Sequence, residues 1–118
     1  MSGKERRQHN RAKCEIGAVG RILDADSPSH PWETSVSDIS EGGIRFRTNN
    51  FLSMGSKFLI RLNIPLSRPI AGVGRPAWIR ELPNFGLYEV GAQFLEMGQE
   101  DKRILRDFMK TMPQSSAA

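Results

Sequence analysis

Residues 38–48 read Asp38-Ile39-Ser40-Glu41-Gly42-Gly43-Ile44-Arg45-Phe46-Arg47-Thr48, or DISEGGIRFRT. The second half alternates. Ile44 and Phe46 fall on one side of an extended chain, and Arg45 and Arg47 fall on the other. A period of two belongs to a strand half-buried against a core. The first half is a turn, because Gly42 and Gly43 permit positive φ and close backbone approach. With Ile39 pointing inward, this reading sends Asp38 and Ser40 outward together.

The same alternation recurs along the chain. KFLIRLNI (57–64) puts Phe58, Ile60, Leu62 and Ile64 on one face. PAWIREL (76–82) separates Ala77 and Ile79, read as inward, from Trp78 and Arg80. YEVGAQFL (88–95) aligns Tyr88, Val90, Ala92 and Phe94. Turn residues divide the runs: DADSPSHP, EGG, NN, SMG, PLSRP and LPNFG. Short strands with hairpin-length links point to an antiparallel barrel or sandwich. The period then changes. In QEDKRILRDFMKTM (99–112), apolar residues fall at Ile104, Leu105, Phe108, Met109 and Met112, one stripe on a helix. Glu100 and Asp101 sit early and Lys110 late, which suits the helix dipole. Pro113 ends the helix. The expected fold is all-β, a barrel with one C-terminal helix laid against it.

A length of 118 residues fits one domain with one core. No window approaches the roughly 20 apolar residues needed to span a bilayer. The basic N-terminus is followed by no apolar stretch, so it does not read as a secretory signal. The one cysteine, Cys14, excludes an internal disulfide and a Cys-based metal cluster. A reduced, cytoplasmic setting is expected.

Charge is distributed unevenly. Residues 1–13 hold Lys4, Arg6, Arg7, Arg11 and Lys13 against Glu5 alone, a net of +4. The whole chain is also +4, so the remaining residues balance twelve basic groups with twelve acidic ones. The division expected is a flexible basic arm over 1–13, a barrel with its helix over 14–112, and a disordered tail over 113–118. A charge concentrated in this way suits a small anion better than a long polyanion, which favours basic groups spread over a face.

Two stretches carry the chemistry. Arg7 and Arg11, four apart, offer planar guanidinium forks that bind phosphate, stack on aromatic planes and pair with the O6/N7 edge of guanine. A solvated terminus is the plainer alternative. Asp38 and Ser40 supply a carboxylate beside a hydroxyl, able to anchor a polar ligand. Local turn hydrogen bonds are the alternative there.

Taken in order, Arg7-Gln8-His9-Asn10-Arg11 (RxxxR) and, 27 residues after Arg11, Asp38-Ile39-Ser40-Glu41-Gly42-Gly43 (DxSxxG) resemble the PilZ domain family, whose members bind cyclic di-GMP. GRPAWIRE is similar to the family's tryptophan-bearing strand. VGAQFLEM with QEDKRILRDFM is similar to its last strand and helix. The resemblance covers about residues 5–110. It implies a six-stranded antiparallel barrel with a C-terminal helix, and no catalysis. It implies that Arg7 and Arg11 grip guanine edges and phosphates, that Asp38 and Ser40 take a guanine's polar edge, and that Gly43 allows close approach. Asp38 can accept from guanine N1–H and N2–H₂ while an arginine reads O6/N7, which disfavours adenine.

Trp78 faces outward beside Arg80, either as a stacking surface for a base or as a cover for the barrel. Arg6, directly before RxxxR, goes in PilZ relatives with a ligand bound as an intercalated dimer of four phosphates. Two ligand molecules per chain are expected. No cofactor and no metal are expected. Asp24, Asp26 and Ser27 lack the rest of a calcium loop, and His9 and His30 lack metal-like spacing. Cys14 forms no nucleophile site, and no P-loop sequence is present. The reading is a second-messenger receptor acting on a downstream protein; relatives act on motility, exopolysaccharide output and virulence. The alternatives are a small basic barrel binding RNA or DNA, which the lack of interleaved aromatics disfavours, and a ligand-free PilZ-like interaction module.

Overall fold

Alternation becomes strands wherever inward side chains can meet across a closed sheet. The computed structural model describes residues 12–23, 30–50, 52–83 and 86–112, with side chains from Cys14 onward. The elements are β1 (Ala12–Ile22), β2 (Trp32–Ile39), β3 (Gly43–Thr48), β4 (Phe58–Leu62), β5 (Ile70–Glu81), β6 (Tyr88–Met97) and α1 (Gln99–Lys110). The strands form a closed antiparallel barrel in the order β1-β2-β3-β6-β5-β4. Closure removes the unpaired edges that an open sheet would expose. The pairing of β1 begins at Ala12, inside the stretch assigned to the arm on sequence. The remainder of that stretch, 1–11, and the tail 113–118 lie outside the described residues.

Three aromatic rings fill the interior. Trp32 stacks on Phe46 at 5.5 Å between centroids, and Phe58 stands edge-on to both, at 5.9 and 6.0 Å. Gly20 makes room for Trp32, since a Cβ there would run into its indole ring. The inward positions of the first half of β5 include Gly72 and Gly74, the latter tight against the Phe58 ring. Aliphatic side chains of the alternating runs complete the core: Ile44, Ile60, Leu62, Ile64 and Val90 are all buried.

The helix adds the rest. Leu105 and Met109 are buried in the core, and Ile104, Phe108 and Met112 pack against it. Asp101, in the first turn, accepts the backbone N–H of Ala71 at 3.0 Å and Arg68 Nη2 at 2.7 Å. This ties the start of α1 to the start of β5. Arg106 on the helix reaches Glu41 in the turn between β2 and β3, at 3.6 Å.

The structure corrects one facing. Ala77, expected inward, is exposed. Pro76 pairs with Ala92 and Trp78 with the adjacent Gly91, so Ala77 is the extra residue of a bulge. A bulge leaves one residue unpaired and resets the alternation beyond it. Ile79 remains half-buried and Trp78 is 40% exposed, as expected.

Candidate functional site

The turn between β2 and β3 is built around the Ser40 hydroxyl. Ser40 Oγ accepts the N–H groups of Gly42 and Gly43, each at 3.1 Å, and lies 3.3 Å from the Gly43 carbonyl, to which it donates. Ser40 N–H donates to the same carbonyl at 2.9 Å. This local pattern is what a short hydroxyl side chain offers a tight turn. Gly43 is required by the fold itself, because a Cβ there would strike the carbonyl oxygen of Ala92 on β6.

Asp38 and Ser40 do not stand open to solvent as the alternation suggested; they are 4% and 8% exposed. For Ser40 the reason is its turn. For Asp38 the reason is cross-strand pairing. Asp38 lies opposite Arg45 in the β2–β3 register, and Arg45 Nη2 contacts Asp38 Oδ2. The carboxylate is on the outer face, opposite in direction to Ile39, but a guanidinium lies over it.

The register then carries the row across the barrel. Arg45 pairs with Gly91 on β6, and Gly91 pairs with Trp78 on β5. A Cβ at Gly91 would enter the Trp78 indole, so the ring lies flat over that glycine. Asp38, Arg45 and Trp78 thus occupy one row over four strands. An acceptor for N–H donors, a cation and an aromatic plane share one surface.

The next row holds a residue that sequence reasoning missed. Glu89 is 3% exposed although it faces outward, because three arginines cover it. Arg80 Nη2 contacts its Oε1, Arg45 Nη1 stands 3.7 Å from Oε2, and Arg47 Nε stands 3.8 Å from Oε2. Arg47, Glu89 and Arg80 are cross-strand partners in register. The signal was partly present, since alternation puts all of them on the outer face. Only pairing puts them together.

Cys14, on β1, is half-buried and donates to the Val36 carbonyl at 3.6 Å. Burial pushes its thiol up to about 11, and the nearby Asp38 charge adds to the effect. Such a thiol is a poor nucleophile. Among the described residues, no group of three or more His, Cys, Asp or Glu side chains is placed to hold a metal ion. No described helix is long and apolar enough to cross a membrane. Of the expected site residues, Asp38, Ser40 and Gly43 lie together at the β2–β3 turn, and Trp78 lies in the same row as Asp38, three strands away on β5. Arg6, Arg7 and Arg11 lie outside the described residues.

Solved structures share this architecture. The Bacillus subtilis inhibitor of motility, MotI/DgrA, superposes with a TM-score of 0.72 at 20% identity, covering 90% of this chain and 50% of that one. The PilZ domain of YcgR from Escherichia coli with c-di-GMP gives 0.71 at 16% identity, covering 91% of each chain. The K. pneumonia MrkH–c-di-GMP complex gives 0.67 at 16% identity, covering 89% of this chain and 50% of that one. The chain therefore spans about nine-tenths of the YcgR domain and about half the length of MotI/DgrA and MrkH. Identities this low establish the likeness of fold. A search of curated proteins finds no match. The family model for the PilZ domain matches residues 5–111, and the chain belongs to the PilZ domain family.

Proposed function

We propose that this chain is a receptor for cyclic di-GMP, with no catalytic activity, that passes ligand binding on to a protein partner. Arg7 and Arg11 of the arm grip guanine and phosphate. Asp38 accepts from the guanine N1–H and N2–H₂ donors, Ser40 and Gly43 hold the turn that presents it, and Trp78 offers its ring to a base. Arg6 adds a third guanidinium for a dimeric ligand with four phosphates. The arm is the moving part. Its charge and lack of apolar residues from Lys4 to Arg11 deny it an anchor of its own. The ligand supplies one.

The observation that carries this reading is the row of Asp38, Arg45 and Trp78 on one outer face. The carboxylate matches a guanine donor edge, and the aromatic plane, three strands along the row, offers a stacking face to a base of the same dinucleotide. The family membership supports it, as do the c-di-GMP complexes of YcgR and MrkH. Titration calorimetry against cyclic di-GMP, cyclic di-AMP, GTP and a short DNA duplex tests it. Saturable binding of cyclic di-GMP, with the others at least about tenfold weaker, is expected. Preferential duplex binding would favour the nucleic-acid reading instead; MrkH is itself described as a transcription regulatory factor. No binding to any of the four would leave an interaction module.

A further inference from the structure

Asp38 is already engaged by a cation. Its carboxylate is 4% exposed, and Arg45 Nη2 lies against Oδ2. A guanine that takes this carboxylate through N1–H and N2–H₂ presents two adjacent donors along one edge. A guanidinium presents the same pattern. Arg45 holds Oδ2, and with Asp38 this deeply buried a guanine edge reaches the carboxylate only when the guanidinium over it moves. The Arg45 side chain is itself divided between two carboxylates, since its Nη1 stands 3.7 Å from Glu89 Oε2. Its Nε is buried with no hydrogen-bond partner among the described residues. The present seat of Arg45 therefore leaves one of its donors unmatched, and a second acceptor is within a short swing.

We propose that Arg45 is an internal competitor for the guanine site: it occupies Asp38 in the unliganded protein and passes to Glu89 when the ligand arrives. The inference rests on the cyclic di-GMP reading above. Glu89 suits the receiving role because it is fixed. Arg80 holds its other oxygen, and Arg47 flanks it at 3.8 Å. The exchange replaces the Arg45 donor on the buried carboxylate with the donors of the guanine edge. It also sets the affinity, because every ligand that uses Asp38 must first release the resident guanidinium. Arg45 thus acts opposite in sign to an arginine that grips the ligand.

That sign is measurable on the full chain. Arg45→Gln removes the competing charge. Unliganded Arg45→Gln should melt at a lower temperature than wild type, yet bind cyclic di-GMP about tenfold more tightly by titration calorimetry. Glu89→Gln in the wild-type background should weaken binding several-fold, and in the Arg45→Gln background should have no further effect. Weaker binding by Arg45→Gln, with wild type binding normally, overturns the exchange and leaves the receptor reading standing. An equal Glu89→Gln effect in both backgrounds also overturns it. If wild type itself fails to bind cyclic di-GMP, both readings fall. Should Arg45→Gln not fold, a crystal structure of the wild-type complex decides: Arg45 on Glu89 supports the exchange, and Arg45 still on Asp38 ends it.

Discussion

Cys14 and two glycines show how much one position can decide. The thiol is raised to about 11 by burial first and by the Asp38 charge second. Its folded pKa lies above the unfolded value of 9.0, so the native state holds the proton more tightly. The associated stability is present below pH 9 and is lost as pH rises from 9 toward 11. At pH 8 the folded thiolate fraction should be roughly a hundredfold below that of the unfolded chain. Alkylation at pH 8 with and without denaturant checks this, and rates within a factor of two of each other would refute it. Gly43 and Gly91 both face obstructions but of different kinds. At Gly43 the obstruction is backbone, the Ala92 carbonyl. At Gly91 it is the Trp78 ring, 40% exposed and able to swing outward. Gly43→Ala should therefore destabilise by about 3 kcal/mol, and Gly91→Ala by only about 1 kcal/mol. Urea denaturation measures both. Gly91→Ala should also shift tryptophan emission to the red, while buried Trp32 remains as an unchanged background.

At the scale of elements, the junction of α1 with β5 rests on one carboxylate. The Ala71 N–H holds the Asp101 pKa below its usual value, with Arg68 adding to the effect and partial burial opposing it. A depressed folded pKa gives stability that is present above the unfolded value near 3.8 and is lost as pH falls through the folded one. Asp101→Asn should cost about 1–2 kcal/mol at pH 7 and flatten the acid limb of the stability curve below pH 4. Thermal melts of both proteins from pH 7 down to pH 3 test it; parallel acid limbs would remove Asp101 from the account. The elements themselves were unequally legible. The runs at 43–48, 57–64 and 88–95 alternate openly, and α1 shows its stripe. The first half of β5 does not, because its inward positions include Gly72 and Gly74, small to fit the Phe58 and Met97 side chains. β1 and β2 are also obscured. Their pairing shifts register between Lys13 and Ile16, and β2 slips against β3 between Val36 and Asp38. Ala77 was misread for the same kind of reason.

At the scale of the molecule, the proposed function joins an arm whose charge is read from sequence to a barrel face read from structure. Arg7→Ala or Arg11→Ala should reduce cyclic di-GMP affinity by ten- to more than a hundredfold, since a bidentate arginine–guanine pair contributes roughly 1–3 kcal/mol. Neither substitution should shift folding stability by more than about 0.5 kcal/mol. Calorimetry paired with urea denaturation separates the two effects, and wild-type affinity in either variant would free that arginine from the site. Arg6→Leu should lower the stoichiometry from two ligands per chain to one. It should also flatten the salt dependence, because one cation fewer engages the phosphates. A wild-type stoichiometry of one would remove the dimeric ligand from the mechanism.

The sequence by itself determined which residues face which way along β3, β4 and β6, where the helix begins, and the spacing of the two PilZ motifs; α1 itself stops at Lys110, short of Pro113. These are local properties, written in periods of two and 3.6 residues and in turn chemistry. Only the tertiary structure decided which outward residues meet. Arg45 covers Asp38, Trp78 lies over Gly91, and three arginines bury Glu89, because strands far apart in the chain pair in one particular register. A bulge changes that register by a single residue, and no local pattern announces it. The Asp38 carboxylate was therefore visible from the sequence as a candidate ligand group, while the guanidinium that lies against it was not.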